Sequence, residues 1–237
     1  MLKVTYKVKS LFSLKKYKDS HLLARSYEHP MLSTIRGAIL ASLIERSGKR
    51  KAEDLFYRIK NAQIFIQHPD TFHKTQQKIT MLTNNSMNSK DTDKVQTSDD
   101  VNALTTVGIR EFVNVNHLVF YIDESIPNLF AYLYNIDRIG NSESHVSLVN
   151  IEKVNKMEQV LMQWDDSKGY DVELFELYDW DTKLDATGKK DKGTKFENVY
   201  IFSEKLKNVN KKMICYVEEV VPCNEVVITS TPMQMVA

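Results

Sequence analysis

The chain is poor in residues that cross-link or punctuate a fold: its 237 residues include only 2 cysteines, 5 prolines and 7 glycines. Cys215 and Cys223 are too few for a disulfide framework and lack the paired CxxC spacing of a structural zinc site. Long apolar runs are missing as well. The N-terminal MLKVTYKVKSLF alternates lysine with apolar residues, and nothing elsewhere approaches membrane-spanning length. The expectation is a cytoplasmic protein with no membrane partner.

Catalytic signatures are equally scarce. There is no GxxxxGK[ST], no GxGxxG after a strand, no HExxH and no GxSxG, so phosphate-cradle, zinc-hydrolase and serine-hydrolase readings lack their usual signals. His21, His29, His68, His73, His117 and His145 are scattered, with no i, i+4 pair on a clear helix, and each reads as a surface or loop histidine. Asp165, Asp166, Asp171, Glu173, Glu176, Asp179, Asp181 and Asp185 form an acidic run without the glycine and closing glutamate of an EF-hand, which favours a solvated or protein-facing surface. No cofactor and no metal is expected. Metal-independent RNA cleavage stays open, since it needs only a base, an acid and a cation, and Tyr17, His21, Lys15, Lys16 and Lys18 lie close enough in sequence to supply them. The same residue types serve plain RNA binding, which is the favoured expectation.

What is present is a charge asymmetry hidden by a net charge of +1. Residues 1–80 hold 16 Lys+Arg against 6 Asp+Glu, and residues 81–237 hold 16 against 25, so +10 and −9 sum to +1. Such a split suits a chain with one face toward polyphosphate and another toward basic protein or water.

Hydrophobic periodicity outlines the elements. Leu2, Val4, Tyr6 and Val8 alternate with lysines as a half-buried strand. After the basic connection SLKKYKDSHLLARSYEHP, the stretch HPMLSTIRGAILASLIE predicts a helix starting near Ser33, with Ser33 and Thr34 as caps and Ile35, Ala38, Ile39, Ser42 and Leu43 as its buried face. Arg36 at this positive helix end is unfavourable unless it meets an anion, so it is either solvated or a phosphate ligand; Gly37 marks either a close backbone approach or a tolerated glycine. A shorter helix, AEDLFYRIK, and a strand, AQIFIQ, follow. Residues 83–100 carry no aromatic and only Met87 and Val95 as large apolar residues, so they form either a surface loop or the tip of a hairpin whose stem is KITML and ALTTVGIREFV.

HLVFYID then predicts a strand, SIPNLFAYLYNID a helix with Ile126, Leu129, Phe130 and Leu133 inward, and RIGNSESHVSLVNI a glycine turn into a strand. Strand, helix, strand, strand, helix, strand is the order of a ferredoxin-like α+β fold. VELFELYDW, FENVYIFSE, KMICYVEEV and EVVIT suggest a smaller, mostly β C-terminal portion.

Three segments in this order, HPMLSTIRGAIL, GIREFVNVNHLVFYID and YNIDRIGNSESHVSLVN, resemble the CRISPR-associated Cas-five family of the RAMP superfamily, and the length and the DWD…NVYIF region look most like its type I-B branch. The resemblance covers residues 2–150 well and the rest loosely. It implies a ferredoxin-like (RRM-like) RAMP domain over 1–150 with a β-hairpin thumb at about 83–107, and a β-rich portion over 151–237. It further implies a non-catalytic, RNA-binding subunit of the type I surveillance complex, Cascade, in antiviral defence. Such a subunit caps the 5′ handle of the crRNA, joins the backbone and large subunits, and meets target DNA only through the complex. The implied RNA contacts are Arg36 and Gly37 on the first helix, with Lys15, Lys16, Tyr17, Lys18, Arg25 and Tyr27 on the connection before it. Arg110 and Phe112 lie at the thumb's exit, and Arg138, Gly140, Asn141, Ser142 and Ser144 around the glycine turn. Gly140 is followed by Asn141 where many members place an arginine, so this turn is expected to bind through backbone N–H groups and serines. One branch of the family cuts precursor RNA with a tyrosine, a lysine and a histidine; a full set does not align here.

Overall fold

The structure, a computed structural model, describes residues 1–16, 19, 23–82, 105–163, 174–180, 195–196 and 211–217. Its centre is a four-stranded antiparallel sheet of order β3-β6-β1-β7, built from β1 (Leu2–Val8), β3 (Ile64–Ile66), β6 (His117–Ile122) and β7 (Val146–Lys153). Helix α1 (Leu32–Asn61) connects β1 to β3, and the short α2 (Leu129–Tyr134) connects β6 to β7. Both chain order and strand order are those of the split βαβ ferredoxin-like arrangement expected from the pattern. Strand alternation explains the packing: Leu2, Val4 and Tyr6 are buried on one face, where the Tyr6 hydroxyl donates to the Leu133 carbonyl of α2 at 2.5 Å.

Between β3 and β6 the chain leaves the sheet as a long antiparallel hairpin, β4 (His73–Leu82) with β5 (Thr105–Asn114), in register from His73 opposite Asn114 to Leu82 opposite Thr105. The stem starts well before the expected KITML. The segment between the two strands, residues 83–104, and the tip of the expected thumb lie outside the described residues. A two-residue strand that the sequence pattern does not announce, β2 (Leu23–Ala24), runs parallel to β5 and fastens the basic connection to the hairpin.

Helix α1 departs from expectation at both ends and in its middle. Its N-cap is Met31, whose carbonyl accepts the Thr34 and Ile35 N–H groups, and no side chain caps it; Ser33 and Thr34 are already inside. The expected second helix, AEDLFYRIK, is its continuation across Gly48, which has φ 80° and ψ 165°. Only glycine adopts such a conformation without strain. In a straight helix residues 36 and 59 would lie about 35 Å apart. Here the break at Gly48 brings the two halves together, so that Arg36 Nη1 donates to the Ile59 and Ala62 carbonyls at 2.5 and 2.9 Å.

The face of α1 toward the sheet follows the 3.6-residue period, with Ile35, Ile39, Ser42 and Leu43 buried and the Ser42 hydroxyl bonded to the Tyr132 carbonyl. In α2 the buried residues are Leu129, Tyr132 and Leu133, flanked by Ile126 and Ile136; Phe130, expected inside, is 53% exposed because it lies about 100° round the helix from Leu129. A third sheet, of order β8-β10-β9, comprises β8 (Leu161–Gln163), β9 (Leu174–Asp179) and β10 (Lys211–Val217). It shares the main core through Leu161 and Leu177, and the core also takes in Phe196 and Trp180, which follows β9 and stacks on Phe56 of α1 at 5.3 Å between centroids. Of FENVYIFSE only Phe196 is among the described residues, and EVVIT lies outside them. No helix among the described residues is long and apolar enough to cross a membrane.

Candidate nucleic-acid interface

The sheet face opposite the helices presents Lys3, Tyr121 and Phe65 in one row by register and alternation. That row is covered. After β7 the chain crosses it, with the Glu158 N–H donating to the Tyr121 hydroxyl, the Glu158 carboxylate near Lys3 Nζ, and the Gln159 carbonyl accepting the His68 N–H. Tyr121 is fully buried beneath this strap, so the ring is no platform for bases.

The open surface lies on the other side of α1, where a groove of about 1330 Å³ runs along the N-terminal half of the helix. Its floor is Ser33, Thr34, Gly37, Ala38 and Ala41, which share a helix face and whose small size leaves the space open. A Cβ added at Gly37 would meet nothing within 4 Å, so this glycine opens the groove and is not closely approached by backbone. Along the floor stand Ser13, Leu14, Lys15, Ala24 and Tyr27 of the basic connection, Arg110 of β5, and the turn from Asn135 to Glu143.

The walls are fixed to one another by side-chain hydrogen bonds. Asn141 Nδ2 donates to the Ser13 carbonyl at 3.0 Å, the Ser144 hydroxyl to Asn141 Oδ1, and the Ser10 hydroxyl to the Glu143 carbonyl. Gly140 has φ +111°, which is what requires glycine here; a Cβ would also lie 2.6 Å from Leu14 Cδ2, a side-chain end that would have to rotate away. On the connection, Leu14 N–H donates to Ser26 Oγ and Tyr27 N–H to the Leu14 carbonyl. The Ser26 N–H donates to Glu111 of the hairpin, and Lys74 bridges Glu111 and Glu28. Burial works against the charge of Glu28, but the bonds and charge of Lys74 outweigh it and hold the carboxyl below its ordinary range. The hairpin base and the groove wall are thus one hydrogen-bonded unit.

Lys15, Tyr27, Gly37, Arg110, Arg138, Gly140, Asn141 and Ser142, drawn from separate parts of the sequence, all line this groove. Others do not. Arg36 is 5% exposed, and its guanidinium meets Asp179 at 2.7 and 2.9 Å in addition to the Ile59 and Ala62 carbonyls. The anion anticipated for it is an internal carboxylate, which replaces the expected phosphate contact. Phe112 and Ser144 are buried, the first in the hairpin base and the second supporting Asn141, so neither side chain offers an RNA contact. Arg25 is turned to Asp19, which it pairs at 2.9 Å, and Lys16 Nζ lies 5.4 Å over the centroid of the largely buried Tyr27 ring. Tyr17, Lys18 and His21 lie outside the described residues. His29, expected in a loop surface, is instead buried edge-on to His68, and burial depresses its pKa to about 4.

Carboxylates that sequence reasoning passed over also line the groove: Glu45, Asp137 and Glu143 face the same space as Lys15, Arg110 and Arg138. Arg138 and Asp137 lie 3.4 Å apart, as do Arg110 and Glu143, and both pairs are open to water. Asp137 and Glu143 sit beside nominated residues in the sequence, and the small-residue spacing of the floor was equally readable; Glu45 carries no such signal.

No family model matches the chain, and no curated protein matches it. Among solved structures it is similar to a CRISPR protein from Archaeoglobus fulgidus, at 12% identity and a TM-score of 0.42 over 94% of this chain and 87% of that chain.

Proposed function

We propose that the groove along α1 holds a single RNA strand and that the chain is a non-catalytic RNA-binding subunit of a CRISPR surveillance complex. In the finer form of this reading, it caps the 5′ handle of a crRNA in a type I Cascade, of the I-B branch, and adjoins the backbone and large subunits. The observation that carries it is the meeting of Lys15, Gly37, Arg110, Arg138, Asn141 and Ser142, nominated from motifs far apart in sequence, on one open surface at the base of the hairpin. Their chemistry suits a single strand: cations reach phosphates, while Ser142, Ser33 and Thr34 supply donors and acceptors for base edges and the 2′-hydroxyl.

The test is incubation of purified protein with labelled CRISPR repeat RNA in EDTA across a salt series, following binding and cleavage together. Salt-sensitive binding without cutting supports the capping subunit. Cutting would make the chain a metal-independent endoribonuclease and send attention to Tyr17 and His21. Absence of both would leave a protein–protein adaptor working through its acidic C-terminal part.

A further inference from the structure

Resting on the RNA reading of the groove, we propose that Glu143 is a competitor for the anion, holding Arg110 until a phosphate takes its place. Arg110 Nη1 lies 3.4 Å from Glu143 Oε2, with the two side chains 35% and 55% exposed. Tight charge-assisted bonds measure about 2.7–2.9 Å, so this pair is loose and water-accessible. A phosphate offering two oxygens to the guanidinium fork makes a better partner than one distant carboxylate oxygen.

Only side chains need move in the exchange. The Glu143 backbone is held by Ser10, whose hydroxyl donates to its carbonyl, and by the His145 N–H, which donates to the same oxygen at 3.0 Å. Arg110 is held in β5 opposite Gln77. After exchange the Glu143 carboxylate stays beside the groove and repels any phosphate brought against it. A strand is therefore admitted only in a register that puts a phosphate on Arg110 and none on Glu143. Asp137 beside Arg138 extends the same arrangement along the turn.

The test compares wild type, Glu143→Gln, Glu143→Asp, Arg110→Gln and the Arg110→Gln/Glu143→Gln double variant of the whole chain, binding a fluorescent mixed-sequence single-stranded RNA across a KCl series. Glu143→Gln is expected to bind roughly threefold to fivefold tighter. Its plot of log K against log salt should steepen by up to about 0.7, because Arg110 meets a phosphate in both complexes but the Glu143 charge no longer offsets it beside the bound strand. Glu143→Asp, which keeps the charge but draws it back by one methylene, should bind between wild type and Glu143→Gln, and the gain should shrink in the Arg110→Gln background. Equal affinity and slope for wild type and Glu143→Gln would overturn this inference alone, as would a gain undiminished without Arg110. RNA bound by Glu143→Gln but not by wild type would support it. RNA bound by none of the proteins would overturn the inference and the RNA reading together.

Discussion

Arg36 and Asp179, 143 residues apart in sequence, are joined by paired bonds of 2.7 and 2.9 Å that tie the first half of α1 to β9. The Arg36 and Asp179 side chains are 6% and 17% exposed, so removing one partner strands the other away from water. Asp179→Asn is expected to destabilise the fold by about 3 kcal/mol, read as a lower urea midpoint. RNA affinity at a temperature where the variant is folded should not change, because the pair lies outside the groove.

Gly140 carries the turn that forms one groove wall. Alanine there meets both an unfavourable φ of +111° and the Leu14 methyl 2.6 Å from its Cβ. Gly140→Ala is expected to cost about 1–3 kcal/mol and to weaken RNA binding as the turn shifts from Leu14. A thermal melt and a binding isotherm check the two effects, and an unchanged melt would contradict the backbone angle described.

His29 makes stability depend on pH. Folded, it stays neutral down to about pH 4, because burial disfavours the cation and neighbouring His68 adds to this; unfolded, it takes a proton near 6.5. The unfolded chain therefore binds more protons between those values, and stability falls as pH drops from 6.5 toward 4, by up to about 3 kcal/mol in all. Urea midpoints at pH 7, 6 and 5 should fall more steeply for wild type than for His29→Gln.

The ferredoxin-like core was legible because its signals are local and periodic: the alternation of Leu2, Val4 and Tyr6 and the spacing of Ile35, Ile39 and Leu43 each name a buried face. The hairpin stem was legible for the same reason, from strand-forming residues on either side of a segment too polar to pack. Arg36 was misread because its partner is set by tertiary structure; the sequence showed that an anion was needed but not that Asp179 would be brought to it. Phe130 failed by a phase error on a helix too short to fix its own period. Part of the basic charge of the first third is likewise taken up by carboxylates of the chain itself, at Arg36, Arg25 and Lys74, which no charge count reveals. The groove residues could be nominated singly from the sequence, but their meeting depends on the Gly140 turn packing against Leu14.

Gly37 offers the most direct test of the groove as the RNA site. Its side-chain direction is open space, and leucine is the better helix former by roughly 0.5–1 kcal/mol, so Gly37→Leu should fold with equal or greater stability while filling the floor. The account predicts an undiminished melting temperature together with at least about a tenfold loss of single-stranded RNA affinity, measured by anisotropy on the same preparation. Full RNA affinity in a well-folded Gly37→Leu protein would place the RNA elsewhere and contradict the account.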